Sequence, residues 1–94
     1  MRQIAWRPQS IADRECIFDH IAEDNPIAAL ALDELFEEKM NTAAANPRLY
    51  KPGRVKGTRE IVVHPNYIVI YREMGTQVLE VLRVLHAAQQ WPTR

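Results

Sequence analysis

Between Gly57 and His86 the chain reads GTREIVVHPNYIVIYREMGTQVLEVLRVLH, with apolar and polar residues alternating on either side of two short breaks. Period-two alternation marks half-buried strands. The breaks, "HPN" and "MGT", are turn chemistry, and Gly75 can take the positive φ of a tight hairpin. The spacing predicts strands at about 58–64, 67–73 and 77–86. Strands joined this way form an antiparallel sheet whose apolar face must be covered, so the rest of the chain has to supply the cover.

That cover lies upstream. "RQIAW" reads as a short first strand ended by Pro8, with Ser10 as the helix N-cap and Asp13 three residues on in the manner of a capping box. From Ile11 the apolar residues Ile17, Phe18 and Ile21 recur at helical spacing as far as about Asp24. Asn25-Pro26 then opens a second helix as N-cap and first-turn proline. Its expected inward residues are Ile27, Ala28, Ala31, Leu32, Leu35 and Phe36, with Asp33, Glu34, Glu37 and Glu38 outside, and Asn46-Pro47 closes it. The short link makes the helices an antiparallel hairpin. "NPRLYKPGRVKG" reads as a loop. The expected fold is a single α+β domain over residues 1–94, in the order β-α-α-β-β-β, with the hairpin packed on one face of a small, mainly antiparallel sheet.

Strand parity sorts the side chains. With tight turns at Pro65 and at Met74–Thr76, one face gathers Ile61, Val63, Tyr67, Val69, Tyr71, Leu79, Val81 and Leu85 as core. The other carries Glu60, His64, Arg72, Glu80 and His86 among Val62, Ile68, Ile70, Val78 and Leu82. A half-polar, half-apolar face of this kind suits a partner segment.

No apolar run approaches the ~18 residues of a membrane span, and the N-terminus lacks the apolar stretch of a secretory signal, so a cytoplasmic protein without membrane contact is expected. Cys16 stands alone, which excludes an internal disulfide or cysteine-based metal cluster, and is expected as a small buried hydrophobe. With no phosphate-cradling glycine loop, His/Cys metal spacing or Ser-His-Asp arrangement, no cofactor is expected. The net charge of zero hides an asymmetry. Residues 1–40 hold four bases against nine acids, and residues 41–94 hold eight bases against three acids. Arg48, Lys51, Arg54, Lys56 and Arg59 follow one another without an intervening acid, a cluster suited to phosphates or to an acidic partner.

The helical hairpin followed by "GRVKGTREIVVHPNYIVIYRE" and "VLEVLRVLHAAQQWP" resembles the RelE/ParE superfamily of bacterial toxins, the toxic halves of type II toxin–antitoxin pairs. The resemblance implies a small toxin neutralised by a cognate antitoxin that wraps its surface. It further implies one of two activities. ParE-like members inhibit DNA gyrase and block replication, whereas RelE-like members cut mRNA on the ribosome, using arginines and lysines to bind phosphates and a His, Glu or Tyr for proton transfer. Where the nuclease branch places an arginine after the tyrosine of its strand, this chain has Ile68, and of that branch's terminal pair only His86 stands in "Leu85-His86-Ala87-Ala88". The pattern favours gyrase inhibition, with ribosome-dependent mRNA cleavage as the alternative and a weakly toxic antitoxin-binding module as a third reading.

Under the nuclease reading His86 and Arg72 are the catalytic candidates. Expected contacts with a partner are Arg54, Lys56, Arg59, Glu60, His64, Arg72, Arg83, His86 and Trp91. Trp91 either lids the core or touches a partner, and Tyr50 either anchors its loop or stacks on a base. A homodimer through the mixed face, or a higher hetero-oligomer with antitoxin, is a further expectation.

Overall fold

The computed structural model describes residues 1–92. Its elements are β1 (Gln3–Trp6), α1 (Pro8–Ala22), α2 (Pro26–Ala45), β2 (Lys51–Pro52), β3 (Arg59–His64), β4 (Tyr67–Met74) and β5 (Val78–His86). The sheet runs β1-β5-β4-β3-β2, antiparallel except where β1 lies parallel to β5. The expected order and cover are therefore found, with one addition: β2 forms inside the segment read as loop, pairing Lys51 with Glu60 and Pro52 with Arg59. No helix among the described residues is long and apolar enough to cross a membrane.

Local chemistry explains most boundaries. Asn25 caps α2, its side-chain oxygen accepting from the Ala28 N–H at 3.0 Å. Gly75 turns the β4–β5 hairpin at φ 62°. Ser10 is not the cap of α1. The helix starts three residues earlier than Ile11, at Pro8, where the missing N–H costs nothing, and the buried Ser10 hydroxyl donates to the Arg7 carbonyl at 2.7 Å. Arg14 staples the hairpin through two bonds of 2.8 Å to the Asp33 carboxylate, and its guanidinium lies 4.5 Å from the centre of the Trp6 ring.

Between helices and sheet lies the main core: Phe36, Met40, Ala43 and Ala44 of α2 against Ile61, Val63, Val69, Tyr71, Leu79, Val81 and Val84. The buried Tyr71 hydroxyl donates to the Pro47 carbonyl at 2.7 Å, and burial pushes its pKa up to about 12. The inward stripe of α2 differs from the expected one. Ala29 rather than Ala28 is buried, and Ile27 is 82% exposed. Cys16, expected inside, is exposed.

Two irregularities redistribute the sheet faces. In β5 the partners step from Arg83 (opposite Ile70) to Val81 (opposite Tyr71), leaving Leu82 unpaired. Such a bulge reverses the parity of everything beyond it. Val84 thus joins the main core, while Leu85 turns to the other face and is buried there with Ile68 and Ile70 against Leu82 and Trp91. A second irregularity skips Val63, so that His64 pairs with Tyr67. The half of the sheet expected to be open is therefore largely closed by the chain itself. Ile68 is 4% exposed, and Trp91 serves as a lid. That closure buries Ile68 and Ile70, part of the apolar area on which the expected homodimer rested, while Val62 stays 57% exposed.

The β5 bulge is held by one carboxylate. Asp13 accepts from Arg83 Nε at 2.7 Å, Arg83 Nη2 at 2.9 Å and the Val84 N–H at 3.0 Å. Its hydrogen bonds to the guanidinium hold the Arg83 pKa above its ordinary value against the opposing effect of burial. Asp13→Ala leaves the arginine charge and the amide without partners and is expected to cost about 3 kcal/mol, read as a fall in the urea midpoint, with part recovered in Asp13→Ala/Arg83→Leu.

Candidate functional site

Four of the expected partner residues converge. Lys56 from the β2–β3 loop, Arg72 from β4, Arg83 from β5 and Trp91 from the tail line a cleft of about 530 Å³. Arg7 and Gln9, at the entrance to α1, complete it with Leu82, Val55, Gly57 and Thr58. Sequence reasoning missed Arg7 and Gln9. The signal available was their place beside Pro8, because a chain leaving a strand edge for a helix brings its junction alongside the neighbouring strand. Here the Arg7 N–H donates to the Val81 carbonyl at 3.1 Å.

Three other expected contacts, Arg54, Arg59 and Glu60, build the loop rather than line the cleft. Gly53 N–H donates to the Thr58 carbonyl at 2.8 Å, and the Thr58 hydroxyl donates to the Val55 carbonyl at 2.6 Å. A side chain at Gly53 would collide with that hydroxyl. Glu60, 7% exposed, accepts from both the backbone N–H and Nε of Arg54, at 2.7 and 3.0 Å. Burial opposes its ionisation, yet the Arg54 hydrogen bonds and the charges of Arg54 and Lys51 outweigh it and hold the carboxyl below its ordinary range. Arg54 also ties the loop to the tail through the Gln89 carbonyl at 3.2 Å, and Arg59 donates to the Tyr50 carbonyl at 2.7 Å. Tyr50 thus anchors its loop, packed partly against the main core.

The electrostatics of the cleft follow from which cations are already paired. Arg72 binds Glu80 at 2.8 Å, and Arg83 binds Asp13. Arg7 and Lys56, both exposed, make no ion pair among the described residues. No acid among the described residues lines the cleft. Two compensated arginines therefore form walls, and two uncompensated cations set the net field.

His64 and His86 are elsewhere, and their expected place beside Arg72 is corrected by the two strand irregularities. His86 faces α1, in a pocket with Asp13, Cys16, His20 and Tyr67, while His64 borders an apolar groove of Ile21, Ala28, Ala31, Leu32 and Leu35. Both flank Tyr67, with ring centres 5.5 Å away for His86 and 6.0 Å for His64. Each accepts a backbone N–H on Nδ1, from Asn66 for His64 and from Ala88 for His86, both at 3.1 Å. That bond selects the tautomer with the proton on Nε2. The sheet thus stands between His86 and Arg72. Among the described residues no three His, Cys, Asp or Glu side chains converge to hold a metal ion.

The loop that presents Lys56 has a pH signature. Because the Glu60 carboxyl titrates lower folded than unfolded, its contribution is full above its ordinary value of 4.5 and is lost as pH falls through the folded value. Glu60→Gln is expected to be less stable than the parent near neutral pH, with the gap in unfolding free energy narrowing as pH falls below 4.5 in a pH series of denaturation curves.

Comparison with known proteins places this geometry in a family. A family model described as the ParE toxin of the type II toxin–antitoxin system parDE matches residues 4–91. The Y4kP protein of Sinorhizobium fredii is 34% identical over 92 residues, covering 97% of this chain and 94% of that protein. Toxin RelE2 of Caulobacter vibrioides is 29% identical over 91 residues, 95% of this chain and 99% of its own length. Among solved structures, a chain of the chromosomal ParDE toxin–antitoxin system of P. aeruginosa superposes with a TM-score of 0.78 at 23% identity, over 92% of this chain and 96% of that one. A chain of the E. coli DinJ–YafQ toxin–antitoxin complex gives 0.64 at 19% identity, over 93% of both chains. Helical hairpin, five-stranded mixed sheet and near full-length match agree: the chain belongs to the ParE toxin family of type II toxin–antitoxin systems.

Proposed function

We propose that this toxin acts by inhibiting DNA gyrase, so that replication is blocked and growth arrested, and that it does no covalent chemistry itself. The observation that carries this reading is the separation of Arg72 from His86. Cleavage of RNA by its own 2′-hydroxyl needs a base, an acid and a cation around one phosphate, each within hydrogen-bond reach. Here the histidine faces α1, the arginine is paired with Glu80 on the far side, and Ile68 lies under Trp91. A binding mode of action requires none of these to meet. The family match to ParE toxins points the same way.

A second reading, ribosome-dependent mRNA cleavage, draws on the likeness to Toxin RelE2 and on the edge-to-face contact of His86 with Tyr67. That pair could supply proton transfer, yet among the described residues no lysine or arginine lines its pocket.

Neutralisation by an antitoxin has a surface suited to it, though not the sheet face expected from sequence. Ile27 and Leu30 of α2 are 82% and 52% exposed, beside the groove formed by Ile21, Ala28, Ala31, Leu32 and Leu35. Apolar residues spaced along an exposed helix, next to a groove, fit an amphipathic segment. Solved relatives include toxin–antitoxin complexes, which supports such a partner.

Two experiments test these statements. With purified gyrase, increasing toxin is expected to trap cleaved DNA and stop supercoiling, while ribosome-bound mRNA stays intact. Cut mRNA with unaffected gyrase would overturn the proposal in favour of the nuclease, and neither effect would leave a weakly toxic antitoxin-binding module. Ile27→Glu and Leu30→Glu are each expected to weaken antitoxin binding roughly tenfold in titration calorimetry, without lowering Tm. Unchanged affinity would remove the hairpin from the antitoxin surface.

A further inference from the structure

Not every feature of the basic cleft is accounted for by binding a protein target. Trp91 is half-buried: it packs on the cluster of Ile68, Ile70 and Leu85 and also forms part of the cleft wall. A tryptophan fixed in this way offers an aromatic surface already ordered, so a ligand stacking there loses little side-chain entropy. Arg7 and Lys56 flank the same cleft with charges that no carboxylate among the described residues pairs, and the loop carrying Lys56 is braced by Glu60 through Arg54. Cations that follow a backbone beside an aromatic platform are the elements of single-strand recognition.

We infer that the cleft between the start of α1, the β2–β3 loop and the tail is a binding site for a single strand of DNA, with phosphates on Arg7 and Lys56 and one base against Trp91. This deepens the gyrase reading and rests on it for its biological sense, because a gyrase caught with its DNA cut presents strand ends that an inhibitor could hold. DNA is favoured over an acidic peptide by the tryptophan, since an acidic peptide gains from the charges and has no need of a stacking surface. Arg72 and Arg83 remain with Glu80 and Asp13 and shape the walls. The recognition is electrostatic and stacking, so it is tolerant of sequence.

The test is fluorescence anisotropy of a labelled single-stranded DNA oligonucleotide with the full chain, without gyrase, over a series of salt concentrations. Binding is expected to weaken with salt. Arg7→Gln and Lys56→Gln should each lower the magnitude of the slope of log affinity against log salt by about 0.7. Trp91→Leu keeps an apolar lid over Ile68, Ile70 and Leu85 and is expected to lose roughly tenfold in affinity with the salt slope unchanged. Lys39→Gln, on α2 and outside the cleft, should behave as the parent, and a salt slope lowered as much as in Arg7→Gln would overturn the inference. No binding by the parent, or slopes unaltered in Arg7→Gln and Lys56→Gln, would overturn the inference. So would polyglutamate binding as tightly as DNA and indifferent to Trp91→Leu, an outcome that assigns the cleft to an acidic protein partner. Thermal melts accompany each variant, and Arg7→Lys and Lys56→Arg should retain the parent's slope, which separates lost charge from lost fold. Because gyrase is absent, failure here leaves gyrase inhibition standing, and failure of the supercoiling assay leaves the DNA affinity standing.

Discussion

The carboxylate of Asp13 is the contact on which the arrangement of this molecule turns. It lies on α1 and accepts three hydrogen bonds at the place where β5 changes register. A bulge leaves backbone groups without their ladder partners, and here a side chain from another layer satisfies the exposed amide. The consequence spreads along the strand. Beyond the bulge Val84 enters the main core, Leu85 starts a second cluster on the other face, and that cluster gives Trp91 its seat. Without the register change Leu85 would face the helices and the smaller Val84 would take its place beside Ile68 and Ile70 under the tail.

Much of the fold was legible because its signals are local. Alternation, turn glycine and Asn-Pro pairs are each read within a few residues, and all five longer strands and helices from α1 to β5 follow them. The failures share a physical cause: each depends on contacts distant in sequence. Nothing in "LEVLRVLH" marks Leu82 as the unpaired residue, because the partner that stabilises the bulge is about seventy positions away. The parity of Leu85 and His86 was lost with it, and that of His64 with the irregularity at Val63. In α2 the run PIAALAL is apolar on nearly every side, so periodicity offers two equally regular stripes, and only contact with the sheet selects the one through Ala29, Phe36 and Met40. β2 is two residues long and contains a proline, too short for any pattern.

The charge asymmetry read from the sequence was real but only partly available for binding. Asp13 of the acidic half is spent on Arg83, and Glu60 and Glu80 hold Arg54 and Arg72 within the basic half. Charges so paired shape the surface without adding much to its field, since each is offset at contact distance. Of the cations that line the cleft, the two without an ion pair among the described residues are Lys56, in the middle of its loop, and Arg7, which belongs to the acidic half by sequence. Composition reveals how many bases a segment has. Which of them stay unpaired is a property of the folded surface.

The sheet also divides the molecule's possible contacts into two kinds. The helix side offers exposed apolar residues and the histidines around Tyr67, while the opposite side offers the basic cleft. These sides are not independent, because Asp13 lines the pocket of His86 and its partner Arg83 lines the cleft. A ligand on the helix side that competed for the Asp13 carboxylate would release Arg83 and add a third uncompensated cation to Arg7 and Lys56. It would also withdraw the acceptor from the Val84 amide, so the gain in charge would come with a loosened bulge. The same bond that sets the strand parity therefore limits how far the two surfaces can be occupied without affecting one another.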